Sequence, residues 1–219
     1  MRDDLPTGTV TLLLTDIEGS TRLLNRLGAE GYALAQHEHR EVLRQAFQAN
    51  NGVEVDTQGD AFFYAFPTPA DCLRGAVAAQ RDLEKFPFTH GSTVRVRMGM
   101  HTGEPQHTEE GYVGVAVNTA ARISAVGHGG QILLSSATAD LLTTALAEDE
   151  ITLQDMGEHR LKDLEDLQRL HQVVIPELNS DFPPLRTQQT RPNNLPVPPT
   201  RFDGRAAEVA DIRDQLLNT

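Results

Sequence analysis

Two aspartates stand where carboxylates could be brought together. Asp16 follows an apolar run and opens the segment Asp16-Ile17-Glu18-Gly19-Ser20-Thr21, while Asp60 closes Gln58-Gly59-Asp60 between two short runs of strand formers. A pair of neighbouring carboxylates is a hard-oxygen ligand set suited to Mg²⁺ or Mn²⁺, which can bridge a triphosphate. Either aspartate alone is ordinary turn chemistry. One at a strand end and the other at a hairpin turn together point to metal binding. Gly19-Ser20-Thr21 sits where the loop enters a helix, so its N–H groups and the positive helix end can hold phosphate oxygens. A simple N-cap at Ser20 or Thr21 explains the same residues equally well. Asn118 and Arg122, spaced i and i+4, share one helix face: an amide can orient a ribose and a guanidinium can neutralise charge growing on a phosphoryl group. A solvated face explains that spacing too, and Lys162 in Arg160-Leu161-Lys162-Asp163 is a surface lysine unless it reaches a phosphate.

These residues need a scaffold, and the hydrophobic pattern supplies one. Residues 9–15 (TVTLLLT) read as a buried strand ending at Asp16. Residues 21–50 keep helical spacing, with Val42, Leu43, Ala46 and Phe47 on one face and a break near Gly28 or Gly31. Two strands, 53–57 and 61–66, flank the Gln58-Gly59-Asp60 turn. A second helix is expected over 70–85 after Pro67-Thr68-Pro69. Residues 93–101 alternate Val94, Val96, Met98 and Met100 against Arg95, Arg97, Gly99 and His101, the period of a half-buried strand. The order to this point is βαββαβ. A helix at 117–125, a strand at 131–135, a helix at 137–146 and strands at 151–156 and 169–175 extend it. The expected class is α+β, a ferredoxin-like βαββαβ core with further α/β elements.

Composition narrows the field. The chain has 219 residues, 39% hydrophobic, enough for one full-sized domain with appended sequence. A formal net charge of -12 disfavours attraction to nucleic acid or an anionic membrane surface. No run approaches the roughly 18 apolar residues of a spanning helix, and Met1-Arg2-Asp3-Asp4 lacks a secretory pattern, so a cytoplasmic location is expected. Cys72 is the only cysteine, which removes intrachain disulfides and thiolate zinc sites and leaves it as a buried helix residue. The histidines form no metal-spaced set. Beyond Pro176 the prolines at 183, 184, 192, 196, 198 and 199 forbid regular helix or central strand, so a linker is expected over 177–201. Residues 202–219 then read as the start of another domain.

LLLTDIEGSTRL, VDTQGDAFF, MGMHTGE and YVGVAVNTAARI, in that order, resemble a class III adenylate/guanylate cyclase catalytic domain spanning about 9–175, within a domain taken as 1–176. NNLPVPPTRFDGRAAEVADI resembles the junction at which bacterial regulators pass from a cyclase domain into an NB-ARC or AAA-like ATPase. Carried over residue by residue, the resemblance implies metal binding by Asp16, Asp60 and the carbonyl of Ile17. It implies transition-state roles for Asn118 and Arg122, and a triphosphate contact from Lys162. It further implies two Mg²⁺ or Mn²⁺ ions per site, attack of the ribose 3′-hydroxyl on the α-phosphate, and a head-to-tail homodimer whose sites are shared between subunits.

Two positions depart from the family pattern in the base pocket. Asp56 stands where adenylate cyclases usually carry Lys and guanylate cyclases Glu, and Gly111 where a second base-reading side chain is expected. An ionised Asp56 accepts but cannot donate, and Gly111 offers no side-chain hydrogen bond. ATP is taken over GTP from the bacterial setting alone. Three functions are compatible with these features: a cyclase forming cyclic AMP, a nucleotide-sensing or dimerisation module controlling a fused ATPase, and a cyclic-dinucleotide synthase. The last would need a Gly-Gly-Asp/Glu-Glu-Phe turn that Gln58-Gly59-Asp60-Ala61-Phe62 does not match.

Overall fold

The structure is a computed structural model that describes residues 4–142, 146 and 150–187. Its centre is a seven-stranded sheet built from β1 (Val10–Ile17), β2 (Val53–Gln58), β3 (Ala61–Phe66), β4 (Val96–Gly103), β7 (Ile132–Ser135), β8 (Thr152–His159) and β9 (Gln168–Val174). The strand order is β2-β3-β1-β4-β7-β9-β8, with only the β4 and β7 neighbours parallel. A two-residue ribbon, β5 (Gln106–His107) with β6 (Tyr112–Val113), forms a separate pair that the hydrophobic pattern does not announce.

Helices cover both faces, which explains why β1 reads as a continuous apolar run rather than an alternating one. Leu13 packs into the cluster of α1 (Ser20–Gln48) and α2 (Pro69–Lys85), with Phe47, Tyr64, Phe66, Cys72, Met98 and Met100. Leu12 points the other way, into a cluster shared with Ala65, Tyr112 and Ala120 of α3 (Val115–Val126). Helix α1 is bent at Gly28, whose φ of 72° and ψ of 175° are not helical. Helix α2 begins with Thr68, whose hydroxyl accepts the Asp71 N–H at 3.1 Å, and with a proline in its first turn.

The position of α3 depends on one glycine. A Cβ at Gly99 of β4 would lie 2.2 Å from the Ser124 nitrogen and 2.8 Å from the Ala120 carbonyl oxygen. Only a residue without a side chain lets α3 lie this close to the sheet, and that contact fixes the helix carrying Asn118 and Arg122.

Three of the differences from the expected boundaries bear on the site and its surroundings. Strand β1 runs through Asp16 to Ile17 instead of ending before them, because antiparallel pairing continues with Asp16 opposite Arg97 and Ile17 opposite Val96. Helix α4 covers Ser136–Ala139 and the chain leaves the helix at 140–142, short of the end expected at 146; residues 143–145 lie outside the described residues. Residues 177–187, assigned to the linker, pack on the domain instead: Leu185 is 2% exposed and joins Ile123, Val126, Leu133, Leu161 and Leu170. Proline excludes regular hydrogen-bonded structure, not burial. Residues 188–219, including the expected second-domain start, lie outside the described residues.

Candidate active site

The two aspartates meet at the end of β1. Register places Thr15 opposite Phe62 on β3, so the turn that precedes Ala61 reaches the last residues of β1. The Ile17 N–H donates to the Asp60 carboxylate at 3.2 Å, tying the hairpin turn to the strand. Helix α1 holds the same turn from behind, through an Arg40 guanidinium hydrogen bond to the Gly59 carbonyl. Burial raises the Asp60 carboxyl above its ordinary range, and the neighbouring Asp16 charge pushes it further in the same direction. The Tyr32 phenol is also raised, by burial first and then by the charge of Asp60, with Ser20 acting against it. Asp16, Asp60, Ser20 and Tyr32 thus share one small region.

A divalent cation fits this donor set. Two adjacent carboxylates next to backbone oxygens are what hard cations select. Among the described residues no group of three or more His, Cys, Asp or Glu side chains competes for that role. Arg97 now faces the pair: its Nε donates to Asp16 at 3.2 Å, a second nitrogen forms an ion pair with the same carboxylate, and Nη1 donates to the Ala125 carbonyl at 3.0 Å. Sequence reasoning passed over Arg97. Its place on the polar side of the β4 alternation was visible, but its pairing opposite Asp16 was not.

Gly19, not Ser20 or Thr21, is the residue before the first turn of α1, with φ of 69° and no side-chain cap. The simple N-cap explanation of Ser20 and Thr21 therefore falls away. The first turn, with no acidic residue in it, presents backbone N–H groups beside the aspartate pair, as an anion site requires.

Asn118 and Arg122 lie on the outward face of α3, whose other side buries Thr119, Ala120 and Ile123. Neither is brought into hydrogen-bond contact with Asp16 or Asp60. Arg122 instead pairs with Asp163 at 2.5 Å, which draws it to the turn carrying Lys162. Arg122, Ala125, Val126, Arg160, Lys162, Arg186 and Thr187 line an open groove of about 620 Å³, so four cationic side chains face one space. Arg160 and Arg186 were not anticipated, since spacing along the chain gives no sign that they converge.

Asp56 and Gly111 come to adjacent positions at the sheet edge. A Cβ on Gly111 would stand 2.9 Å from a methyl of Val55, the neighbour of Asp56, and the φ of 138° there favours glycine. The Asp56 carboxylate is taken up locally, by the Thr57 N–H at 2.8 Å and the Gln58 amide at 2.8 Å. Beside it Glu54 accepts a two-pronged Arg44 contact at 2.8 and 2.9 Å, which with Thr57 and Tyr64 pulls its carboxyl down to about 2. Glu54 is committed to holding the bulged strand β2.

Comparison with known proteins identifies the family. Residues 4–174 match the model of the adenylate and guanylate cyclase catalytic domain, and the chain belongs to that family. It is similar to Rv0891c, an uncharacterised protein of Mycobacterium tuberculosis, at 39% identity over 209 residues, covering 94% of this chain and 70% of that protein. An adenylate cyclase of Neurospora crassa is 32% identical over 77% of this chain, which spans only 10% of that protein. Among solved structures, a Trypanosoma brucei adenylate cyclase in its monomeric state superimposes with a TM-score of 0.72 at 25% identity, covering 86% of this chain and 97% of that one. The adenylyl cyclase CyaB of Pseudomonas aeruginosa shares the fold, with a TM-score of 0.65 at 20% identity, 80% of this chain and 97% of that one. Among the described residues no helix is long and apolar enough to cross a membrane.

Proposed function

We propose that this cyclase domain converts ATP to 3′,5′-cyclic AMP and pyrophosphate, in the cytoplasm, as a head-to-tail homodimer with shared sites. The observation that carries the reading is the hydrogen bond from Ile17 to Asp60, which locks the two carboxylates side by side at the end of β1. Asp16, Asp60 and the Ile17 carbonyl are the residues to hold the divalent ions. Such ions, when bound, lower the pKa of the ribose 3′-hydroxyl and neutralise the departing pyrophosphate. The first turn of α1 at Gly19, Ser20 and Thr21 receives phosphate oxygens through its N–H groups. Arg97, already facing Asp16, is placed to exchange that carboxylate for a phosphate oxygen.

Asn118 orients the ribose and Arg122 neutralises charge on the α-phosphate as the 3′-oxygen attacks in line, while Lys162 contacts the triphosphate. That neither side chain pairs with Asp16 or Asp60 within one chain supports completion of each site by a second copy. Val113 and Val115, 47% and 71% exposed at the start of α3, are apolar surface beside that face. The adenylate cyclase names of several relatives support ATP.

A second reading, a cyclase that also accepts GTP or turns over weakly while regulating a fused ATPase, draws on the base pocket. Asp56 is engaged by its own strand and Gly111 supplies no side chain, so the base is held by few specific bonds. Complementation tests the main proposal. Asp60→Asn and Arg122→Ala should each be inactive alone, and an equal mixture should recover about a quarter of wild-type activity through heterodimers with one intact site. Failure of the mixture to recover activity, with both variants folded, would contradict shared sites.

A further inference from the structure

The segment after β9 does not leave the domain. Its path crosses the sheet end and finishes at the metal-binding loop. The Ser180 carbonyl accepts the Gln172 amide at 2.8 Å, and the Phe182 ring stacks on His128 with centroids 6.4 Å apart and planes 9° from parallel. His128 also bonds the Pro184 carbonyl at 3.2 Å, Leu185 is buried, and the Arg186 N–H donates to Val126 at 3.0 Å at the end of α3. These anchors fix the backbone on which Arg186 stands. Its guanidinium forms an ion pair with Glu18.

Glu18 lies between Ile17 and Gly19, so whatever fixes it fixes the stretch from Asp16 to the first turn of α1. Its N–H donates to the Arg95 carbonyl at 2.9 Å, and His128 Nδ1 stands 3.8 Å from its carboxylate. Gly129 closes the remaining side: a Cβ there would lie 2.9 Å from a Glu18 carboxylate oxygen and 2.6 Å from the Arg95 side chain. The Glu18 side chain is 21% exposed and its carboxylate meets the Arg186 guanidinium, itself 43% exposed.

We infer that Arg186 is a positioning residue for metal binding, acting through Glu18 on the Asp16 loop, so that residues 177–187 belong to the catalytic unit rather than to a linker. The inference rests on the proposed metal role of Asp16.

The test is Mn²⁺ titrated into the intact metal-free protein, with free Mn²⁺ read by electron paramagnetic resonance and melting temperature recorded alongside. Arg186→Ala and Glu18→Gln should each weaken Mn²⁺ binding by about ten-fold, as loss of a group behind a metal ligand does. The double variant should be no weaker than either single one, because both break the same link. Arg186→Lys should recover most of the affinity. Wild-type Mn²⁺ affinity in folded Arg186→Ala and Glu18→Gln, or additive losses in the double variant, would overturn the inference, as would absence of saturable Mn²⁺ binding by the wild type. Should Arg186→Ala fail to fold, Arg186→Gln, which keeps the side-chain stem, carries the same decision. Metal affinity is read without turnover, so failure of the proposed cyclase activity would show separately, as absence of cyclic nucleotide from a protein that still binds Mn²⁺.

Discussion

Asp163 holds Arg122 in a 2.5 Å ion pair from a left-handed backbone position, φ 61°. The arginine proposed to stabilise charge on the α-phosphate therefore has a carboxylate partner that the substrate must displace. The pair is partly exposed, with side chains 36% and 59% accessible, so displacement is inexpensive.

Asp163→Asn keeps a residue type that tolerates the left-handed conformation while removing the charge. An exposed pair is worth about 0–1 kcal/mol. Cyclase kcat/KM should rise by up to about five-fold, with unfolding free energy within about 0.5 kcal/mol of wild type. Steady-state kinetics and chemical denaturation check this. A fall in kcat/KM would mean that Asp163 orients Arg122 productively instead of occupying it.

His39 carries the clearest pH signature. It is fully buried on α1, 5.8 Å from the Phe62 ring, and neither ring nitrogen has a hydrogen-bond partner. Burial, reinforced by the Arg40 charge, lowers its pKa to about 4. The folded protein thus keeps His39 neutral while the unfolded chain takes up a proton below its usual value of about 6.5. Stability is fully present above about pH 6.5 and is lost as pH falls through about 4. The loss attributable to His39 is on the order of 3 kcal/mol. His39→Leu should flatten that part of the stability profile. Denaturation of both proteins at a series of pH values decides it, and an unchanged slope in the variant would contradict the assignment.

Gly99→Ala should displace α3. The added methyl meets backbone atoms of Ser124 and Ala120, which cannot rotate away as a side chain could. Overpacking of this kind costs about 1–3 kcal/mol. Activity should fall further than stability, because Asn118 and Arg122 move with the helix, and a misplacement of about 1 Å can cost about 100-fold in rate. Denaturation and kinetics measured together separate the two effects.

Base discrimination should be modest. A pocket that hydrogen-bonds its substrate rejects the wrong one by about 10⁴–10⁵, whereas Asp56 is engaged by Thr57 and Gln58 and Gly111 has no side chain. The ratio of kcat/KM for ATP over GTP should lie above one and below about 100. Competition between the two nucleotides gives the ratio directly. A value near the upper range would require base contacts from residues other than these two.

Much of the fold was legible in the chain. The βαββαβ order follows from apolar spacing and turn residues, the helix break was narrowed to Gly28 or Gly31 and falls at Gly28, and Asp16 and Asp60 stood out because a strand end and a hairpin turn are places from which carboxylates can converge. What stayed hidden depends on contacts between distant segments. The Asp16 and Arg97 pairing is a matter of register between β1 and β4, which no local pattern encodes. The strap was read as linker because proline speaks against hydrogen-bonded structure, while the burial of Leu185 depends on a cluster assembled from α3, β7, β9 and the turn around Leu161. The β5–β6 ribbon is too short to show a period at all. The convergence of the groove cations was hidden too, because Arg122, Arg160 with Lys162, and Arg186 come from three separate stretches.

The most direct test of the central claim is product formation from ATP and GTP by the purified chain with Mg²⁺ or Mn²⁺, comparing wild type with Asp16→Ala and Arg122→Ala. The account predicts metal-dependent cyclic AMP and pyrophosphate from wild type, with each variant reduced by at least about 100-fold. A folded wild-type dimer that forms no cyclic nucleotide from either substrate with either metal, or an Asp16→Ala variant as active as wild type, would contradict it.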